Sequence, residues 1–181
     1  MIGFDNLSTY SIDFPNVWTF LWSPEEANTI PVEHKDQIFF LNQEATDFVK
    51  KYFDSSMICK SWTVPINDCY FKNIEEFRID NNNEDLKKWL YNRKIPFDKF
   101  VFLNEDRSNS IVMMTWKMVI KYCEGIFFSE DCFLFDQSLN WALFYYHEDV
   151  ITFGSEKIYD KEIYYKKTEI NNELKLKFNL K

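Results

Sequence analysis

The chain has 181 residues, 21 Lys+Arg against 29 Asp+Glu for a formal charge of −8, 46% apolar residues and 19% aromatic residues. The length is enough for a single core to form, the acidic balance disfavours contact with a phosphate backbone, and no run of 18 apolar residues is present to cross a membrane. The three glycines, Gly3, Gly125 and Gly154, lie too far apart to build a phosphate-cradling loop, so the dinucleotide and nucleoside-triphosphate fingerprints are excluded.

Residues 1–36 are expected to form an irregular, aromatic N-terminal segment, because Pro15, Pro24 and Pro31 interrupt any long element. Within it, Asn16–Trp22 is a dense aromatic run that suits a strand or an anchor laid across the core. Ser23-Pro24-Glu25-Glu26 has the order of a helix start: a hydroxyl cap, proline at the first position and acids in the first turn. The start Met1-Ile2-Gly3-Phe4-Asp5 has no basic stretch leading into an apolar one, which gives the expectation of a cytoplasmic protein without a membrane partner.

Gln37–Leu41 is a short buried strand on this reading. The next segment gives the clearest helix: Asn42 is placed to cap it, and Ala45, Phe48, Val49, Tyr52 and Phe53 recur on one face. Met57–Val64 has a strand pattern, while Tyr70–Ile79 fits either type. Asn83 is placed to cap a second helix with Leu86, Trp89 and Leu90 inward and Pro96 beyond its end. Lys99–Asn104 and Ser110–Met114 are expected to pair across a polar hairpin connection. A third helix starts at Thr115, with Trp116, Val119, Ile120 and Cys123 inward and Gly125 at its left-handed terminus.

From Ile126 the pattern turns to strands: Ile126–Phe128, Cys132–Phe135, Trp141–His147 and Val150–Phe153, with Glu148-Asp149 as a two-residue turn. Residues 156–181 form a basic tail. Ile158–Lys166 suits a helix, whereas Leu174, Leu176, Phe178 and Leu180 alternate with polar residues as in a terminal strand. The charge is uneven: residues 1–160 hold 15 Lys+Arg and 26 Asp+Glu, and residues 161–181 hold 6 Lys and 3 Glu. The expected fold is a single α+β domain over 1–181, mainly antiparallel sheet with about three helices.

The sequence offers little for catalysis. Cys59, Cys69, Cys123 and Cys132 form no C-x-x-C pair, only His34 and His147 accompany them, and no nucleophile signature is present, so all four are read as small buried apolar residues. His147-Glu148-Asp149 is the one place where an imidazole and two carboxylates crowd together, with Glu130, Asp131 and Asp136 as possible neighbours. That constellation supports an alternative reading as a small metal-assisted hydrolase. Against it, consecutive residues of a strand or tight turn point in different directions, so adjacency does not create a ligand set. No catalytic residue, metal site or cofactor is therefore assigned.

Recognition is the better use of these acids. Clusters at Glu75-Glu76, Asp80 to Asp85, Glu130-Asp131 and Glu148-Asp149 fall in expected turns or element ends. With exposed rings such as Tyr145, Tyr146 or Tyr164-Tyr165 they would form ring anchors in a charged rim. Glu130, Asp131, Tyr145, Tyr146, Glu148 and Asp149 are the candidate partner-binding residues.

Thr115-Trp116-Lys117, Gly125 to Asp131, Leu139 to Glu148 and Phe153-Gly154 together resemble the C-terminal stretches of small bacterial immunity proteins of toxin–immunity systems, including those of contact-dependent inhibition. The resemblance covers about residues 115–155. It implies a non-catalytic cytosolic inhibitor that binds a cognate protein toxin, often a basic nuclease, and blocks its active site without itself contacting nucleic acid.

Overall fold

The apolar runs at 38–41, 100–105, 112–115, 132–135, 141–146 and 150–157 all join one sheet in the computed structural model, which describes residues 1–15, 18, 23–59, 65–67, 69–79, 83–106, 108–128, 130–162, 165, 166, 169, 170 and 177. Its strands are β1 (Ser11–Ile12), β2 (Ile38–Leu41), β3 (Phe71–Arg78), β4 (Phe100–Glu105), β5 (Val112–Thr115), β6 (Cys132–Phe135), β7 (Trp141–Tyr146) and β8 (Val150–Lys157). Their order is β1-β2-β5-β4-β6-β7-β8-β3, and every neighbouring pair is antiparallel. The expected α+β class is the observed one.

Alternation along each strand sends side chains to two different cores. On one face Ile38, Phe40, Val101, Leu103, Val112, Met114, Cys132, Leu134, Leu143 and Tyr145 pack with Leu86, Leu90, Trp116, Met118 and Val119. On the other, Leu41, Phe102, Met113, Phe133, Phe135, Ala142 and Phe144 pack with Leu7, Ala45, Val49 and Phe53. Both faces of β5 and β6 are consequently buried over all four residues of each strand. The first face is covered by α4 (Asn83–Tyr91), α5 (Trp116–Lys121) and α6 (Cys123–Ile126), the second by a 3-10 helix (Phe4–Tyr10) and α3 (Gln43–Asp54).

Local chemistry sets the helix ends. Asn42 caps α3, its side-chain oxygen accepting from the Ala45 amide at 3.0 Å. Ser23 caps α1 (Pro24–Thr29) in the same way, accepting from Glu26 N at 3.3 Å. Each cap supplies an acceptor for one of the amides that a helix start leaves without a carbonyl.

Several expectations need correction. The N-terminal segment is not irregular throughout: it holds the 3-10 helix, β1, α1 and α2 (Val32–Lys35). Asn83 is the first helical residue of α4 rather than its cap. The helix after Thr115 breaks at Tyr122 into α5 and α6, Gly125 lies inside α6 without positive φ, and Ile126–Phe128 is no strand. Met57–Cys59 is turn and coil, with Met57 at φ 67°, and residues 60–64 lie outside the described residues. Of the Asn16–Trp22 run only Trp18 is described; its ring meets Phe40 edge-on at 4.7 Å. In the tail, 161, 162, 165 and 166 are helical. The terminal strand expected at 174–180 falls almost wholly outside the described residues, and Lys177, the one of them described, is helical.

The β7–β8 connection is a three-residue loop, His147–Asp149, because Tyr146 pairs with Val150. Asp149 takes the left-handed conformation at φ 62°. Three-residue hairpins place their last loop residue there, and aspartate tolerates it better than most side chains. That explains a tight hairpin without glycine.

Gly154 serves a different need. It lies on β8 opposite Ala142, and the ring of Phe71 on β3 covers it so closely that an added Cβ would come within 2.2 Å of Phe71 Cδ2. Phe71 is buried and belongs to the second core. Gly154→Ala should therefore cost about 1–3 kcal/mol through forced displacement of the ring. Urea unfolding measures it, and Phe71→Leu in the same chain should recover part of the loss; equal losses in the Phe71 and Phe71→Leu backgrounds would show that the ring is not the obstacle.

Candidate functional site

Strand register decides which loops meet. Glu105 at the end of β4 pairs with Cys132 at the start of β6, and Cys132 pairs with Tyr145 near the end of β7. The loops at 106–111, 127–131 and 147–149 therefore leave the same end of the sheet side by side. Asp131 ties them together. Its Oδ1 accepts from the His147 backbone amide at 2.8 Å and lies 2.7 Å from His147 Nδ1, which donates when it carries the proton. The Asp131 carbonyl accepts from the Asp106 amide at 2.9 Å. Opposite it, the Asp149 carbonyl accepts from Ile79 N at 2.8 Å and anchors the hairpin to the end of β3.

The sequence-chosen residues divide. Glu148, Asp149 and Tyr146 are exposed, and Glu130 and Asp131 are half-buried at the same end. Tyr146 lays its ring 4.3 Å from the His147 ring. Tyr145 is not a surface anchor: it points into the first core, where its ring packs 5.4 Å from Phe127. The strand's period of two forces this, since Tyr145 and Tyr146 cannot share a face. Of the second tyrosine pair, Tyr165 is exposed and Tyr164 lies outside the described residues. Two residues at this end escaped sequence reasoning. Phe128 is 62% exposed, and Asp106 is exposed on the neighbouring loop. Phe128 closes the apolar run Ile126–Phe128, whose composition suits a strand, and this masks its exposure.

Asp136 does not belong to this cluster. It follows β6 at the opposite end of the sheet, about four residues of strand away from Asp131, or roughly 14–17 Å along the strand. It is buried, accepts from the Ser138 amide at 2.8 Å and pairs with Lys99 at 3.6 Å. The hydrolase reading thus loses one of its carboxylates. Among the described residues no three His, Cys, Asp or Glu side chains converge as metal ligands.

A groove of about 880 Å³ opens beside Asp136, and sequence reasoning did not foresee it. Arg93, Lys99, Asp136, Asn140, Trp141 and Phe153 are among its lining. Most of its charges are paired: Lys99 faces Asp136 and Arg93 pairs with Glu75, which leaves Lys94 in excess. The Arg93 guanidinium also lies 4.2 Å from the Trp89 ring and 5.1 Å from that of Phe153, a geometry that stabilises a partly desolvated cation. Arg93, Glu75, Lys99 and Asp136 thus meet one another's charges within the groove.

The cysteines are not uniformly buried as expected. Cys123 and Cys132 are, Cys59 is half-buried, and Cys69 is exposed. Burial pushes the Cys123 thiol up to about 11 and the Cys132 thiol well above its ordinary value. Burial, then the nearby Asp149 carboxylate, raises the Tyr145 hydroxyl as well. Neither buried thiol is a nucleophile at neutral pH.

Family models, curated proteins and solved structures were compared with the chain, and none of them matches it.

The raised thiols set a pH dependence. In the unfolded chain a thiol releases its proton near pH 8.5, while folded Cys123 holds its proton to about 11. The folded state binds more protons in that window, so stability falls as pH rises, by about 1.4 kcal/mol per pH unit for each such thiol. Urea midpoints should hold steady below pH 8 and decline from 8.5 to 11. The decline should be shallower in Cys123→Ala, measured against that variant's own midpoint at pH 7.

Proposed function

We propose that this chain is a non-catalytic binding protein that presents the loop end around Asp131 to a basic protein partner. The observation that supports it most is the convergence of three loops on one acidic node. They carry exposed Phe128 and Tyr146 beside Asp106, Glu130, Glu148 and Asp149. Rings that desolvate on contact, enclosed by a charged rim, are the composition that gives protein interfaces their affinity. Acids concentrated on loops also steer a basic partner and raise its encounter rate.

Together with the resemblance over residues 115–155, this favours an immunity protein that neutralises a basic, nuclease-type toxin in the cytoplasm by direct binding. Trp141 leads β7 and Phe153-Gly154 lies on β8, but β7 ends at Tyr146 before His147-Glu148 and β8 continues past Gly154 to Lys157. The strand expected before the acidic turn is absent, because 123–126 is helical.

A basic toxin domain encoded by an adjacent gene is the partner to test. Its association rate with this chain should fall steeply as salt is added. Glu130→Lys, Glu148→Lys and Asp149→Asn combined should weaken the complex by about tenfold or more. Asp131 is left in place because it ties the loops, and Asn is chosen at 149 because it tolerates the left-handed backbone. Calorimetry on the pair decides: affinity unchanged in the triple variant would remove this end from the interface.

A further inference from the structure

A second concave surface lies on the helical layer over the first core, remote in chemistry from the acidic loops. Tyr91 at the end of α4, Phe97, His34, and Lys117, Met118, Ile120 and Lys121 of α5 line an open groove of about 330 Å³. Tyr91 and Phe97 are 61% and 47% exposed, and their ring centroids stand 5.4 Å apart. Backbone bonds hold the walls in place. Lys117 N donates to the Phe97 carbonyl at 2.9 Å, and Lys94, in the left-handed conformation at φ 59°, closes α4 onto the Tyr91 carbonyl. A groove already formed loses little entropy when it is filled.

Its charge runs against that of the chain. On a body of −8, the lining holds two lysines and a histidine and no carboxylate. Lys117 and Lys121 stand one turn apart on α5, both exposed, and neither enters an ion pair among the described residues. The interior is almost entirely apolar. A peptide backbone laid in it would leave N–H and C=O groups without partners, which is costly. An alkyl or aryl chain has no such groups to satisfy. The volume is at the lower end of small-molecule sites.

From these observations we infer that the groove is a binding site for a small amphipathic anion, an alkyl chain with a single carboxylate head. The chain lies between Tyr91, Phe97, Met118 and Ile120, and the head is held by Lys117 and Lys121. The site is independent of the acidic loop end and of its proposed partner.

Decanoate is the probe, titrated into the full chain by calorimetry, with decanol as the uncharged control. A saturable one-to-one isotherm is expected, with decanol at least tenfold weaker. Lys117→Glu with Lys121→Glu should weaken decanoate at least tenfold, and Phe97→Asp should abolish binding. All three are exposed positions, and an unchanged urea midpoint verifies that the fold is intact. No saturable binding, equal affinity for decanol, or unchanged affinity in the lysine double variant would overturn the assignment. So would Phe97-dependent self-association in sizing chromatography, or Phe97-dependent binding to anionic vesicles in place of decanoate. Glu130→Lys should leave the isotherm unaltered, so that the two surfaces fail or stand separately.

Discussion

Burial of the central strands on both faces is the constraint from which most of this molecule follows. Antiparallel sheets commonly keep one face in water and alternate apolar with polar residues. Here α3 and the 3-10 helix close one face while α4, α5 and α6 close the other. Cys132–Phe135 and Val112–Thr115 must then be compatible with a dry interior at every position. The abundance of rings is a consequence: two separate cores have to be filled, and large side chains fill them with few residues. Stacked and edge-on pairs such as Phe53 on Phe135 at 4.3 Å and Trp116 against Trp141 at 5.6 Å knit each core.

The same constraint explains how much was legible in the sequence. The helical repeat of α3 with its Asn42 cap, and the apolar runs of four to six residues at 38–41, 132–135 and 141–146, match the elements expected from them. Failures cluster where a continuous apolar run fits two geometries. Ile126-Phe127-Phe128 has the composition of a buried strand, yet Ile126 ends α6, Phe127 packs on Tyr145 and Phe128 faces solvent. Periodicity over three residues does not separate these outcomes. The 3-10 helix and α2 were hidden for a related reason, since seven and four residues give no repeat to detect, whereas α1 is marked by its Ser23 cap and Pro24.

The acidic end was legible in part because turns are marked by composition. Glu130-Asp131 and Glu148-Asp149 lie on loops as expected, but that they meet depends on register, which links Cys132 to Tyr145 through long-range pairing. Sequence position placed Tyr145 and Tyr146 together; the pleat separates them, one into the core and one toward solvent. Asp136 shows the opposite error. Five residues from Asp131 in sequence, it is carried to the far end of the sheet by the extended strand between them.

A sheet sealed on both faces also governs where charge can act. No carboxylate or ammonium can lie within the central strands without losing solvation that a single partner rarely restores, so ionic groups collect at the strand ends and on outer helix faces. At the end near Asp136 most groups face one another, Lys99 with Asp136 and Arg93 with Glu75, and Lys94 is left in excess. At the Asp131 end Asp106, Glu148 and Asp149 are exposed, and among the described residues of these loops His147 is the one basic side chain, set against Asp131, while Lys50 donates to the Ser108 carbonyl from α3. The residual field of the molecule is therefore directional. On the proposed reading, a positively charged partner would be drawn toward the loops that also carry Phe128 and Tyr146, so that electrostatic orientation and apolar contact would act on the same face.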